Sequence, residues 1–195
     1  MRLLLTMEGA GLHVGELVLP VPPLHRTLRA LLTFFDDEDD SCDLVVEAKG
    51  GAEVKTHALL LTSASAPLRR MLKTEMLEKK TRRVVFAEFG ATAVRAFLRA
   101  IYGTAVDSEL DVDSLLELVR LAHMYELPWM QDAASLALLP KVTTVETALG
   151  VLEVALPTNS DILQRAAFHV IKTGQDEAEA AALASAAKGH RASSK

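Results

Sequence analysis

Six histidines and one cysteine are the side chains of this sequence with the widest chemical range. A metal site on one helix face needs two histidines four residues apart, and a nucleophile needs a base and an orienting group nearby. Neither arrangement occurs, and neither does a phosphate-binding loop or the Gly-x-Ser-x-Gly turn of hydrolases. Cys42 stands beside acidic residues, which disfavour a thiolate. The histidines lie at positions 13, 25, 57, 123, 169 and 190. The sequence therefore predicts no enzyme, no cofactor, no metal site and no small-molecule substrate.

Two runs of charge are the next candidates for a site. The acidic run Asp36–Asp40 has carboxylates that suit calcium, but a Ca²⁺ loop needs a sharp glycine turn and the run contains no glycine. We favour a solvated loop. The basic run Lys79–Arg83 has the composition of a nuclear-import patch. A solvated lead-in to the following strand is the interpretation that we favour over it.

Composition indicates a globular domain with extensions. The chain has 195 residues, 50% of them apolar but only 5% aromatic, so Leu, Val and Ala must fill most of the core. The 21 basic and 26 acidic residues give a net charge of −5, which argues against a nucleic-acid surface. A single cysteine excludes an internal disulfide, and no apolar run approaches the ~18 residues of a membrane span. We expect a soluble intracellular protein, in the cytoplasm, the nucleus or both.

Apolar residues alternate in the first half of the chain and follow a helical spacing in the second. Strands are predicted at 43–47, 52–56 and 84–86, with a glycine pair at 50–51 as the turn of a hairpin. From residue 91 onward the helical period predicts five helices. This order of elements predicts an α+β fold, in which a small sheet is flanked by a helical cluster with a C-terminal helical extension.

Capping residues predict where those helices begin and end. Gly103 is predicted to close the first helix, and Asp113 or Ser114 to cap the second. Pro128 is predicted to open the third helix. The box from Thr143 to Glu146 is predicted to cap the fourth, and residue 160 to begin the last. The tail at 175–195 is Ala-rich and polar, so we expect it to fray.

The stretch from Lys55 to Glu78 has the most specific pattern of the chain. After His57, an apolar turn at 58–61 leads to Ser65, which can accept the first free N–H groups of a helix. Pro67 suits the first turn of that helix because its missing N–H costs nothing there. An apolar residue, a spacer and an acid follow the helix as Met76-Leu77-Glu78.

This stretch resembles the centre of a BTB/POZ domain. In that family a histidine after the second strand leads into a helix pair, the second helix starts at a serine, and an apolar-x-Glu triplet follows. The match spans about residues 40–140. Leu68 replaces a usual phenylalanine and Pro67 stands one place late, both departures at the level of packing. The matching positions are Asp43, His57, Ser65, Leu68, Met71-Leu72, Glu75-Met76, Arg83-Val84, Ile101-Tyr102 and Tyr125.

The flanking segments are similar to those of MATH–BTB proteins, notably the plant members. The resemblance divides the chain as follows: residues 1–21 as the last strand of a MATH-like domain, 22–40 as a linker and first dimerisation helix, 41–140 as the BTB/POZ domain, 141–174 as a two-helix extension and 175–195 as a frayed tail. The rest of the MATH domain, which captures substrates in the family, is missing from this sequence.

The resemblance implies a dimeric adaptor for a cullin-3 RING ubiquitin ligase, which would be blind to substrate without its MATH domain. The cullin-binding residues would be Met76, Leu77, Glu78 and Tyr125. The interface with itself or with other MATH–BTB proteins would comprise Leu24, Leu28, Leu31, Leu32 and Asp43. Two alternatives remain: a module for self-association alone, and a transcriptional co-regulator. BTB transcription factors pair the strand's Asp with a basic residue directly after the histidine, and position 58 here is alanine, which weakens the second alternative.

Overall fold

A short three-stranded sheet forms one layer of the domain. The computed structural model describes residues 32–33, 35–37, 40–73 and 80–175. The strands are β1 (Leu44–Ala48), β2 (Glu53–Thr56) and β3 (Arg83–Phe86), in the order β2-β1-β3. β1 pairs antiparallel with β2 and parallel with β3. The predicted strands are confirmed to within one or two residues at their ends.

Glycine makes the hairpin between β1 and β2 possible. The connection is a 3-10 turn at Lys49–Gly51, in which Gly50 and Gly51 have φ angles of 82° and 80°. Residues with a Cβ rarely adopt this left-handed conformation. The glycine pair therefore does what the sequence predicted, and it sets the register in which Val46 faces Val54.

Two short helices follow the hairpin, α1 (Ala58–Ala64) and α2 (Ala66–Lys73). Ser65 Oγ accepts the N–H of Leu68 at 3.2 Å, which confirms Ser65 as the predicted cap of α2. The apolar turn predicted at 58–61 is wrong, because these residues form the first turn of α1. The carboxylate of Asp43, distant in sequence, accepts the N–H of Ala58 at 2.8 Å and stabilises this helix start.

Five helices follow β3 in the described residues up to 175, as the periodicity predicted. Two of the predicted caps are displaced. Asp111 rather than Asp113 or Ser114 caps the second of these helices, and Thr144 rather than Thr143 caps the fourth, each accepting the backbone N–H three residues on. Gly103 follows the first helix with a φ of 89°, as predicted. The helices are α3 (Ala91–Ile101), α4 (Val112–Met124), α5 (Pro128–Leu138), α6 (Val145–Ala155) and α7 (161–175).

The core runs without interruption from the sheet into the helical extension. Aliphatic side chains of every helix from α1 to α7 are buried in it, around an aromatic group formed by Phe86, Phe97 and Tyr125. The extension joins the rest through a buried polar contact, because Ser135 Oγ of α5 lies 3.1 Å from Ser160 Oγ at the start of α7. The α+β architecture predicted from the sequence is confirmed.

Candidate partner-binding surface

A buried polar network fixes the start of the helix pair. The hydroxyl of Tyr102, at the end of α3, accepts the backbone N–H of His57 at 3.1 Å. The same hydroxyl lies 2.5 Å from His57 Nδ1 and 3.1 Å from Thr56 Oγ1. His57 Nε2 lies 3.3 Å from Ser41 Oγ. If Tyr102 donates to Nδ1 and Thr56 donates to Tyr102, every group in the network has a partner. His57 is therefore a structural residue that organises a helix start.

Burial raises the pKa of Tyr102 above its ordinary value, against the hydrogen bonds of Thr56 and His57, which lower it. The hydroxyl consequently remains protonated at neutral pH and can donate a hydrogen bond. A protonated hydroxyl is what the network requires.

The segment before β1 packs against the ring of the same tyrosine. Phe35 is fully buried, and its ring centroid lies 4.8 Å from that of Tyr102. Arg99 of α3 forms an ion pair with Asp36, and the guanidinium of Arg95 lies 6.0 Å from the ring centroid of Phe35. The described part of the segment is thus anchored to α3 by both apolar and charged contacts.

Asp43 has two partners at the edge of the sheet. One carboxylate oxygen caps α1, and the other lies 3.5 Å from Nη2 of Arg82. The next residue, Arg83, forms ion pairs with Glu47 and Glu53 across the sheet. Two members of the basic run are therefore engaged with acids, as a lead-in to β3 would require.

The turn between α4 and α5 is held from two sides. Tyr125 ends α4, and its backbone oxygen accepts a hydrogen bond of 2.8 Å from the buried hydroxyl of Ser65. Its ring stacks on Phe86 of β3, with centroids 5.1 Å apart. Glu126 follows with a φ of 56° and faces Arg70 of α2 at 3.7 Å. We call residues 124–129 the α4–α5 corner.

Large apolar side chains are exposed along the corner and the helices after it. Met124 and Trp129 flank the buried Tyr125 with 51% and 50% of their surface exposed. A groove of about 440 Å³ lies between α4 and α6, and Met124, Val154 and Pro157 contribute its apolar lining. Exposed apolar surface of this kind is typical of a site that another protein covers. Further exposed apolar residues are Leu136, Leu139, Val145, Leu149, Leu156 and Phe168.

Comparison with known proteins identifies the family. The model of the BTB/POZ domain family matches residues 32–140, more than half of the sequence. This chain belongs to the BTB/POZ domain family. Such domains mediate self-association and the binding of partner proteins, so the chain is a protein-interaction module.

Two curated relatives carry a BTB domain beside a second kind of domain. The BTB/POZ and TAZ domain-containing protein 4 of Arabidopsis thaliana is 26% identical over 114 residues, which cover 58% of this chain and 31% of the relative. The BTB and MATH domain-containing protein 40 of Caenorhabditis elegans is 28% identical over 112 residues, 57% of this chain and 28% of the relative. The alignments thus span about a third of these relatives.

Two solved BTB domains are among the structures to which this chain is similar. The BTB domain of human Gigaxonin aligns with a TM-score of 0.47 and 20% identity, over 68% of this chain and 97% of its own. The BTB domain of zebrafish PATZ1 aligns with a TM-score of 0.46 and 14% identity, over 55% of this chain and 84% of its own.

The residues predicted for the dimer interface of this BTB/POZ domain are described only in part. Leu32 is half-buried against the core and Asp43 is exposed at the start of α1. The other three predicted residues, Leu24, Leu28 and Leu31, lie outside the described residues. Sequence reasoning missed Leu59 of α1, which is 73% exposed. Its apolar neighbours in sequence suggested a buried turn, and only the three-dimensional fold reveals which of them faces outward.

Of the residues predicted to bind the cullin, only Tyr125 lies within the described residues. Met76, Leu77 and Glu78 fall between α2 and β3, outside the described residues. Tyr125 is only 6% exposed and belongs to the aromatic core. Sequence reasoning assigned Met130 and the alanines to a helical face but did not single out Met124 or Trp129 as surface residues.

Other classes of site have no support in the described ranges. Across residues 32–175, apart from the gaps named above, no three His, Cys, Asp or Glu side chains lie together as metal ligands. Within the same ranges, no helix has the length and apolar character needed to cross a bilayer.

Proposed function

We propose that this chain is a dimeric adaptor of a cullin-3 RING ubiquitin ligase. The observation that carries the proposal is the α4–α5 corner, where Met124 and Trp129 are exposed on either side of the buried Tyr125. Aromatic and thioether side chains at the centre of an interface supply much of its binding energy. A rigid corner with such side chains suits the apolar face of a partner helix.

The predicted triplet follows α2 in the sequence. Two contacts join α2 to this corner: the hydroxyl of Ser65, which caps the helix, donates to the backbone oxygen of Tyr125, and Arg70 pairs with Glu126 at 3.7 Å. In the proposal, the flexible thioether of Met76 fills an irregular pocket of the cullin. Glu78 fixes the register by pairing with a charged or N–H group.

The helical extension enlarges the same surface in this proposal. The groove between α4 and α6 opens next to Met124, and Leu149 and Leu156 are exposed along α6. A stable interface buries about 1,200–2,000 Å² in total, which is more than one helix turn supplies. In the proposal, the corner, the groove and α6 together supply this area, with Arg120, His123 and Glu153 of the groove as polar contacts beside the exposed apolar side chains.

Self-association is proposed through the helix before β1 and the exposed end of α1. In the proposal, the stripe predicted from the sequence at Leu24, Leu28, Leu31 and Leu32 meets its own copy across a two-fold axis. Phe35 anchors the end of this segment to Tyr102. Asp43 and the exposed Leu59 extend the interface. Leu28→Asp places a charge in it twice, so light scattering should detect a dimer for the parent and a monomer for the variant.

The names of the two curated relatives support a division of labour between a BTB domain and a second domain. Each couples a BTB domain with another module, TAZ in one and MATH in the other. In the proposal, this chain supplies the cullin-binding and dimerisation surfaces, and a separate MATH-type domain captures the substrate. Mixed dimers with MATH–BTB proteins would form through the same stripe, in the cytoplasm or the nucleus.

A transcriptional co-regulator is the second candidate, and one contact favours it. The basic residue expected at position 58 is absent, but Arg82 supplies a guanidinium 3.5 Å from Asp43. The acid–base pair of BTB transcription factors could thus be assembled from a different position. Arg82→Ala should abolish corepressor binding if this candidate is right, and should leave cullin binding unchanged if the adaptor is right.

Calorimetry with a cullin-3 N-terminal domain tests the adaptor proposal. Met76→Ala should lower the affinity at least tenfold, because truncating a central desolvated contact costs ~2 kcal/mol. Its melting temperature should hardly change. Met7→Ala is the matched control, since it removes the same side chain at a position outside the predicted interfaces. Equal affinities for Met76→Ala and Met7→Ala would remove the triplet from the site.

A further inference from the structure

The two elements on either side of residues 74–79 converge on one residue. α2 precedes this stretch, and Ser65, which caps α2, donates its hydroxyl hydrogen bond to the backbone oxygen of Tyr125 at 2.8 Å. β3 follows the stretch, and Phe86 of β3 stacks on the ring of Tyr125 at 5.1 Å. One contact uses the main chain of Tyr125 and the other its side chain.

Tyr125 is itself firmly held. Its N–H donates to the backbone oxygen of Leu121 at 3.0 Å within the last turn of α4, and its ring also packs on Phe97 of α3, with centroids 5.8 Å apart. The residue therefore connects α2, β3, α3 and α4 at one point. A change at this point alters how the start of α2 and the end of β3 are held against the α4–α5 corner.

We propose that Tyr125 is a positioning residue for the partner-binding surface: it acts from the core by fixing α2 and β3 relative to the α4–α5 corner. This inference rests on the adaptor function proposed above and gives Tyr125 a role other than direct contact. With 6% of its surface exposed and with Phe86 and Phe97 against its ring, Tyr125 has little area to offer a partner. Its exposed neighbours Met124 and Trp129 make the contacts.

The two contacts of Tyr125 can be removed separately. Ser65→Ala removes the hydrogen bond to the main-chain oxygen together with the side-chain cap of α2, and leaves the ring stack. Tyr125→Leu removes the stack and leaves the main-chain oxygen. Tyr125→Phe keeps both contacts and serves as the conservative variant. Neither Ser65 nor the ring of Tyr125 is exposed, so an effect on affinity must be transmitted through α2, β3 or the corner.

Matched controls remove the same kinds of group elsewhere. Ser114→Ala deletes another buried hydroxyl, which donates to Asp111 at 2.9 Å at the opposite end of α4. Phe89→Leu shrinks another buried ring that packs edge-on against Phe86, with centroids 6.4 Å apart. All variants are compared at a temperature where each is fully folded, so that loss of global stability does not enter the affinity.

The experiment measures calorimetric affinity for a cullin-3 N-terminal domain and amide hydrogen exchange across the full chain. Tyr125→Leu should lower the affinity about tenfold or more, Ser65→Ala about fivefold, and Tyr125→Phe less than about threefold. The two controls should stay within about twofold of the parent. Exchange should rise together in residues 66–73 and 83–86 of Tyr125→Leu, and not in Phe89→Leu.

Affinities that are the same in Tyr125→Leu and Phe89→Leu would overturn the inference, as would an affinity of Tyr125→Phe as low as that of Tyr125→Leu. A parent chain that binds no cullin would refute the adaptor function, and the exchange comparison then decides the positioning role by itself. Exchange that rises in only one of the two flanking elements of Tyr125→Leu contradicts it.

Discussion

Polar groups are buried around Tyr102, whereas large apolar groups are exposed along the α4–α5 corner. In the first region a hydroxyl, an imidazole and a threonine lie in the core, each with a hydrogen-bond partner. In the second region Met124 and Trp129 face solvent although a buried tyrosine lies between them. The two regions thus reverse the usual distribution of polar and apolar side chains.

The difference separates what holds the fold from what the fold presents. A satisfied buried network defines one arrangement of the strands and helices, because any other arrangement leaves a polar group unpaired. An exposed apolar corner contributes little to the stability of the free chain, and its apolar area remains available for a partner. Substitutions in the first region should therefore change stability, and substitutions in the second should change affinity.

The largest effect is expected for Tyr102→Phe. Loss of the hydroxyl leaves the backbone N–H of His57 and the hydroxyl of Thr56 without their partner in the core, which should destabilise the chain by about 2–3 kcal/mol. The stack on Phe35 is retained, so the change isolates the polar contribution. Urea denaturation of parent and variant measures it. A loss below about 0.5 kcal/mol would mean that the network does not hold the fold.

Trp129→Ala should produce the opposite result. Because about half of the Trp129 side chain is buried, its unfolding free energy should fall by about 1 kcal/mol, less than for Tyr102→Phe, while the affinity for the cullin domain should fall about thirtyfold, or ~2 kcal/mol. Val85→Ala, which truncates an exposed apolar residue on the sheet, is the control and should change neither quantity. If Trp129→Ala destabilises the chain but binds normally, the two regions do not differ as described.

Glu126→Gly tests how much backbone strain the α4–α5 corner carries. Glu126 has a φ of 56°, a left-handed conformation that costs residues with a Cβ about 1 kcal/mol. Glycine removes this cost, and the exposed pair with Arg70 contributes at most about 0.5 kcal/mol. The melting temperature should therefore rise by a few degrees. Glu126→Ala loses the ion pair without relieving the strain and should be less stable than the parent.

The smallest effect concerns the opposite end of α4. The backbone and side-chain hydrogen bonds of Ser114 lower the pKa of Asp111 below its ordinary value. Because this pKa is lower in the folded state, the ionised carboxylate stabilises the fold at pH values above its ordinary pKa near 4. The stabilisation is lost as the pH falls through the folded-state pKa. Because Asp111 is exposed and solvent screens its charge, Asp111→Asn should cost no more than about 0.5 kcal/mol at neutral pH. An equal cost at pH 7 and below pH 3 would contradict this.

Local rules of sequence were enough to predict most elements of the fold. The glycine pair at 50–51, Ser65 before α2 and Pro128 at the start of α5 each stand where their backbone chemistry requires them. The period of apolar residues located the helices after β3. These signals act over a few neighbouring residues, so they do not depend on contacts with distant parts of the chain.

The features that the sequence did not predict depend on contacts between distant residues. From its residues alone α1 was taken for a turn, although the family resemblance implied a helix there, because the carboxylate at its start comes from the distant Asp43. The choice of Asp111 over Asp113 depends on which carboxylate reaches the free N–H groups. Outward-facing Leu59 and Trp129 look like core residues in a sequence where half of all residues are apolar. The family resemblance suggested Tyr125, but only the fold distinguishes the exposed Met124 from the buried Tyr125.

The mass of a complex tests the central claim most directly. The full chain is mixed with a cullin-3 N-terminal domain and separated by size-exclusion chromatography with light scattering. The adaptor account predicts one peak with the mass of two chains and two cullin domains. It also predicts that Leu28→Asp reduces this peak to one of each, and that Trp129→Ala leaves a dimer without cullin. A parent chain that runs as a dimer free of cullin would contradict the account.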